Sequence, residues 1–320
     1  MPVKGNCPMC GHTEALPRCR SVSLRGEIWD FVSCCRCRSV YLWPPPDTAS
    51  LARAYDESYY GEQEHKFSFP FLEVLLDTFR RKRALMIRRC AGGRGKVLDI
   101  GCGNGRMLHF LHGMGTYEIF GTELPGSSAR RAAGIPELKL YTGSFAEADY
   151  PPESFDAISL FHVFEHLEHA GEVLKRINTL LKPGGCLLIS FPNADSIQAK
   201  LAGGNWLHYD PPRHLCLPDH KALVKFMEGR SYRLLRRTFL SPEQNPFGAI
   251  QSLLNLMCKR RDLLLEMLKG NKTYSGPANR IRFIFHLIFL LLHLPLAMLA
   301  DLTESAWGKG ATVFMIFKKN

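Results

Sequence analysis

Residues 96–106 read KVLDIGCGNGR. An apolar run with β-branched character closes on Asp99 and Ile100, breaks into Gly101, Gly103 and Gly105, and resumes at helical spacing from Met107 to Leu111. The pattern predicts a strand, a glycine turn and a helix start. Glycines lack a Cβ and take positive φ at little cost, so such a turn lets backbone N–H groups come close to a ligand. A dinucleotide fingerprint, G-x-G-x-x-G, needs a third glycine where this chain has Arg106, so a nicotinamide cofactor fits poorly. The plainest alternative is a tight loop with no ligand, and the segments downstream decide against it.

Residues 117–123 (YEIFGTE) read as a second strand ending in Glu123, where the two oxygens of a ribose-binding carboxylate belong. A third strand at 138–142 runs into Gly143, Ser144 and Phe145. The fourth, 154–160, leads into 161–167 (FHVFEHL); a helix at 173–181, a turn at 182–185 (KPGG) and a fifth strand at 186–191 follow. Residues 232–240 (YRLLRRTFL) and 311–318 (ATVFMIFK) read as a closing antiparallel pair. Alternating β and α segments imply a parallel sheet with its ligand at the carboxyl ends of the strands.

The spacing G-x-G-x-G with Asp99 two residues ahead, followed in order by SFDAISLFHVFEHL and LLKPGGCLLISFPN, resembles class I S-adenosylmethionine-dependent methyltransferases. The resemblance runs from about Tyr55 to the C-terminus and is similar to a bacterial group associated with surface polysaccharides and secondary metabolites. It implies a Rossmann-like, doubly wound α/β sheet of seven strands. It also implies that Gly101, Cys102, Gly103 and Gly105 accommodate the methionine part of S-adenosylmethionine, with Asp99 fixing the turn and the amino group. Glu123 and Leu124 would meet the ribose side. Ser144 stands where the family often has an aspartate for adenine, and Phe145 and Phe161 complete the cofactor set.

Methyl transfer from a sulfonium needs no acid for the leaving thioether, so the protein must align the acceptor and, for a hydroxyl, remove its proton. His162, Glu165 and His166 fall at i, i+3 and i+4, on one face if the segment is a helical turn. His166 is the first choice for general base, with Glu165 orienting it or the substrate. Alternatively, His162, Glu165, His166 and His214 are similar to the Glu-x-x-Glu-His plus histidine metal site of small-RNA 2′-O-methyltransferases and hold a divalent cation. Structural hydrogen bonding is the third reading. Residues 205–215 (NWLHYDPPRHL) have the polar-aromatic mix of a substrate-facing lid.

At the N-terminus, Cys7 with Cys10 and Cys34 with Cys37 form two C-x-x-C pairs that close a tetrahedral site of the kind zinc prefers. The segment resembles a zinc ribbon, with a structural role because no coordination position stays open and with Cys35 pointing away. The count of 11 cysteines, without a basic and then apolar leader, fits a reducing, cytoplasmic setting better than a disulfide scaffold. The expected division is a zinc ribbon at 1–43, a linker and helical cap at 44–95, a cofactor-binding core at 96–240, a helical insertion at 241–310 and a final strand at 311–320. A net charge of +11 points to an anionic partner. The insertion carries a basic amphipathic part, 251–269, and an apolar run at 283–300, and is expected to touch a membrane peripherally through 251–300, on its cytoplasmic face, or else to cover substrate or a second copy. The expected acceptor is an oxygen on a sugar, glycan or lipid-linked intermediate. The rivals are an RNA methyltransferase, with nucleic acid as partner, and a non-catalytic cofactor-binding scaffold.

Overall fold

The computed structural model describes residues 2–55, 70–271 and 276–320. Tyr59 and Tyr60, expected to lead into the core, lie outside the described residues. In chain order come β1 (Val3–Lys4), β2 (Glu14–Val22), β3 (Ile28–Cys34), β4 (Val40–Leu42), α1 (Thr48–Ala54) and α2 (Pro70–Ala91). Next are β5 (Arg94–Ile100), α3 (Arg106–His112), β6 (Thr116–Glu123), α4 (Ser127–Ala133), β7 (Leu138–Thr142), β8 (Phe155–Phe161), α5 (Ala170–Leu180) and β9 (Leu181–Pro192). The remainder is α6 (Ile197–Ala202), β10 (Cys216–Leu217), α7 (His220–Glu228), β11 (Tyr232–Thr238), α8 (Asn245–Met257), α9 (Leu263–Leu268), α10 (Pro277–Ala306) and β12 (Thr312–Lys319).

The larger sheet has seven strands in the order β11-β12-β9-β8-β5-β6-β7. β12 runs antiparallel to both its neighbours and the other pairings from β9 to β7 are parallel. All seven fall on the stretches the sequence predicts. β5 is buried on both faces, as a central parallel strand must be. Leu98 and Ile100 pack with Ile158 and Ile189, while Val97 meets Ala84, Ile87 and Leu188 on the other side. The expected turn at 182–185 is instead an irregularity inside β9, with Gly184 at φ 76° and the register to β8 shifting before Cys186.

α2 packs on the sheet through Ala84 and Ile87, both fully buried, whereas Leu75 and Leu85 are exposed. A small residue at 84 lets the helix axis approach the strands. Arg80 bonds Glu73 at 2.9 Å and Asp77 at 2.7 Å, with little exposure, and Asp77 also accepts from Arg106 Nε at 2.9 Å. The helix is thereby tied to the segment after the glycine turn.

The N-terminal sheet does not close on itself. Its order is β1-β2-β3-β4-β10, so its last strand comes from the core, with Tyr41 opposite Cys216. The Gly171 N–H donates to the Pro8 carbonyl at 3.1 Å and the Ser21 hydroxyl to the Gly204 carbonyl at 2.8 Å. Cys7, Met9, Cys34 and Tyr41 share one apolar cluster with Phe164, Ala170 and Cys216. The module expected at 1–43 is thus continuous with the core.

Residues 205–215 are a correction as well. Trp206 and Tyr209 are at most 1% exposed and pack with Phe31, Leu42 and Ala199, so the segment wedges between the two sheets and is no open lid. In the insertion, the amphipathic stretch expected at 251–269 is broken between α8 and α9, and Pro295 lies inside the continuous helix α10.

Candidate active site

Gly101, Gly103 and Gly105 all take positive φ, at 68°, 59° and 72°. A Cβ on Gly101 would stand 2.4 Å from Val163 Cγ2, so this glycine permits the turn to lie against the segment after β8. A Cβ on Gly103 would meet nothing within 4 Å, which marks the open side of the cradle. The Cys102 N–H donates to the Thr122 carbonyl at 3.0 Å. Glu123 accepts from the N–H groups of Gly103 at 2.7 Å and Leu124 at 3.2 Å, leaving lone pairs for a further donor.

Asp99 accepts from the Ser159 hydroxyl at 2.6 Å, and burial pushes its carboxyl up to about 7. Burial raises Glu123 too. Leu124 is 44% exposed beside it, and the Ser144 hydroxyl accepts from the Ala146 N–H at 3.3 Å. Phe145 is turned into the core under the Arg176 guanidinium at 5.2 Å, so it is not presented as an open platform. Phe161 stacks on Phe314, ring centroids 6.1 Å apart, with the Arg83 guanidinium 5.4 Å from its ring centroid. A cavity of about 120 Å³ opens here, lined among others by Arg83, Phe161, His162, Ser190 and Thr312. The buried hydroxyls of Ser190 and Thr312 have no hydrogen-bond partner among the described residues. Ser190 falls within LLKPGGCLLISFPN and Thr312 within ATVFMIFK, but a lone hydroxyl in an apolar strand carries no local sign that it lines a cavity.

Residues 162–166 do not form one helical face. His162 takes a left-handed backbone, φ 58°, with its N–H on the Ser190 carbonyl at 3.0 Å, and only Phe164–His166 make a 3₁₀ turn. A bulky residue in that region is uncommon and clusters at functional sites. His162 Nδ1 still lies 3.4 Å from Glu165 Oε1. Glu165 is 1% exposed, and its Oε2 has no partner among the described residues.

His166 Nδ1 lies 3.0 Å from the Arg213 carbonyl and 2.9 Å from the Tyr55 hydroxyl, and His214 Nδ1 lies 2.8 Å from the His208 carbonyl. Carbonyls only accept, so both Nδ1 atoms carry the proton and both Nε2 atoms keep a lone pair. The two rings are 4.7 Å apart, and one ligand atom each from Glu165, His166 and His214 lie within 4.8 Å of one another. Burial, and then His214, push His166 down to about 4, so its imidazole is neutral at pH 7. Tyr55 and His208 join the site through partners 111 and 6 positions away, beyond any local pattern.

In the N-terminal sheet, Cys7 Sγ lies 3.5 Å from Cys37 Sγ and Cys10 Sγ 3.6 Å from Cys34 Sγ, with all four sulfurs within 4.8 Å of one another. Four thiolates at about 2.3 Å from a zinc ion stand about 3.8 Å apart, so the cage matches that ion. Cys35 is exposed and points away.

A family profile described as a methyltransferase domain matches residues 62–236, more than half of the chain. The chain belongs to this methyltransferase family. A curated protein of Mycolicibacterium smegmatis, named as an S-adenosylmethionine-dependent methyltransferase, is 30% identical over 36% of this chain and 45% of its own length. A ubiquinone biosynthesis O-methyltransferase of Bradyrhizobium diazoefficiens is 35% identical over 40% of this chain and 53% of its own. The chain therefore spans about half the length of the curated relatives it matches. Among solved structures, a protein of Galdieria sulphuraria described as a sarcosine dimethylglycine methyltransferase superposes with a TM-score of 0.50 at 16% identity, covering 84% of this chain and 97% of that one. That likeness concerns the fold alone.

One expectation about acid stability arises here. Burial pushes His208 down to about 3. A neutral imidazole in the folded chain against an ordinary one, near 6.5, in the unfolded chain gives stability that is whole above about pH 6.5 and is lost as pH falls toward the folded value. Denaturant titrations between pH 7.5 and 4 are expected to show a steep acid loss. In His208→Leu, which cannot take up that proton, the slope falls by about one proton; an unchanged slope refutes the assignment.

Proposed function

We propose that this methyltransferase-family chain transfers the methyl group of S-adenosylmethionine to an oxygen on a sugar, glycan or lipid-linked intermediate. The observation that carries the cofactor half is the open side at Gly103 backed by the Glu123 carboxylate. Two carboxylates, the buried Asp99 and the half-buried Glu123, are raised by desolvation and gain from a cationic or hydroxyl-bearing ligand. We assign Asp99 to the amino group and Glu123, with Leu124 beside it, to the ribose side. S-adenosylmethionine supplies an electrophilic methyl group when bound; the protein's task is to hold the acceptor oxygen in line and to take its proton. The names of relatives that are O-methyltransferases are in keeping with an oxygen acceptor.

We assign Glu165, His166 and His214 to a divalent cation. Two neutral imidazoles and one carboxylate suit manganese, iron, cobalt or zinc better than magnesium. A bound cation of this kind makes a hydroxyl near it more acidic. His162, held against Glu165, is the neighbouring group that takes the proton. The alternative is that His166 itself is the general base, favoured by its fixed Nε2 lone pair; its low pKa makes it a weak one. Cys7, Cys10, Cys34 and Cys37 hold a structural zinc.

Calorimetry of the folded protein with S-adenosylmethionine and with its demethylated product tests the cofactor assignment. Binding is expected, and Glu123→Ala is expected to weaken it about a hundredfold, the worth of charge-assisted hydrogen bonds of about 2.7 kcal/mol. Folded wild-type protein that gives no heat with either compound ends this reading.

A further inference from the structure

α10 is built inside out. Its outward stripe includes Ile281, Ile284, Ile288, Leu292, Leu299 and Leu302, between 52% and 72% exposed, at spacings of three, four and seven residues. Its inward face carries the polar groups. Asp301 accepts from Asn245 Nδ2 at 2.6 Å, Glu304 from Gln198 Nε2 at 3.4 Å, Asn279 from Arg260 Nη1 at 2.9 Å, and His286 Nε2 lies 3.4 Å from Cys258 Sγ. A helix on the surface of a water-soluble domain has the reverse arrangement. No Asp, Glu, Lys or Arg occurs between Arg282 and Asp301. Among the described residues this is the one helix long and apolar enough to cross a bilayer, yet its two ends are anchored to the same body.

At the N-terminal end, Asn279 is held by Arg260, and the adjacent Arg261 reaches Ser21 Oγ at 2.9 Å and the Trp206 carbonyl at 2.9 Å. At the C-terminal end, Asn193 Nδ2 donates to the Gly310 carbonyl at 2.9 Å, just before β12 enters the sheet. One flank is covered by α8, with Leu254 and Ile250 in the shared apolar cluster. A helix tied down at both ends and along one side lies flat and cannot cross.

We propose that the outer stripe of α10 beds into the interfacial zone of an anionic lipid bilayer, with the helix parallel to the surface. Three observations select lipid over a second protein. The apolar stripe is bounded at one end by the exposed cations Lys259 and Arg282, which suit acidic headgroups. Trp307, 73% exposed, stands at the other end, in the position interfacial tryptophans occupy. Polar groups facing the protein and apolar groups facing out is the arrangement a lipid-facing helix requires. This inference is independent of the reaction proposed above.

The test is flotation of the full chain with vesicles of phosphatidylcholine, with and without phosphatidylglycerol. The wild type is expected to float with the anionic vesicles and to be partly released by salt. The pair Leu292→Asp and Leu299→Asp, on exposed positions, lowers partitioning about tenfold or more while thermal unfolding stays unchanged. Lys259→Glu with Arg282→Glu weakens binding to anionic vesicles and removes the difference between the two lipid mixtures. The proposal is overturned if the wild type stays in the lipid-free fraction with both mixtures, or if the double aspartate variant floats as well as the wild type. It is equally overturned if sedimentation shows that the face joins two copies in a dimer that vesicles do not dissociate.

Discussion

His214→Ala is expected to leave S-adenosylmethionine binding within about twofold and to slow methyl transfer by about a hundredfold to a thousandfold. The reason is geometric. His214 lies 48 positions after His166 in the chain, yet its ring is 4.7 Å away, and its Nδ1–H donates to the His208 carbonyl so that Nε2 keeps a free lone pair. If the three side chains share a cation, loss of any one empties the site, and the double variant His166→Ala with His214→Ala is no worse than either alone. If His166 is instead a lone general base, His166→Ala is crippling and His214→Ala costs little. Cobalt titration gives a readout that needs no acceptor. The wild type is expected to take up one equivalent with weak ligand-field bands, besides any at the four-sulfur site with its intense thiolate absorption. The weak bands vanish in Glu165→Gln and in both histidine variants. Uptake at the sulfur site alone in the wild type removes the cation from the proposal.

Cys34→Ser is expected to cost the protein most of its stability. Structural zinc contributes an apparent 10 kcal/mol or more to the folding of small metal modules. Here the consequence extends further, because Cys7 and Cys34 are 2% exposed within the same apolar cluster as Phe164, Cys216 and Leu223. The strand that completes this sheet, β10, follows Leu215, whose N–H donates to the Glu165 carbonyl at 2.6 Å. Unravelling the thiolate cage therefore loosens the turn that carries Glu165 and His166. Chelation is expected to lower the midpoint of thermal unfolding by about 10 °C or more and to weaken binding at the His–Glu cluster in the same step. A Cys34→Ser chain that melts within about 3 °C of the wild type, with full cobalt uptake at the other site, shows the cage to be dispensable.

The seven strands of the large sheet were legible because each carries a local signal: an apolar run, a turn residue and a motif of fixed spacing. The glycine turn and its two acids were readable for the same reason. What escaped was set by distant partners. Nothing near Cys216 announces that it pairs with Tyr41, and the mixture of Trp206, Tyr209 and Arg213 reads like an exposed loop until Phe31 and Ala199 are seen packing against it. The i, i+3, i+4 spacing of His162, Glu165 and His166 pointed to the right cluster by the wrong geometry, since His162 leaves the turn in a left-handed conformation and His214 takes its place beside His166.

The borrowed fifth strand also fixes what can be cut away. During synthesis, the edge of β4 stays without its neighbour until residue 217 has emerged, when two thirds of the polypeptide has already been made. A fragment ending at residue 43 would carry a complete sulfur cage and an unpaired backbone edge, an invitation to self-association. The four-cysteine module of this protein is thus not a portable part: it matures with the body it serves or not at all.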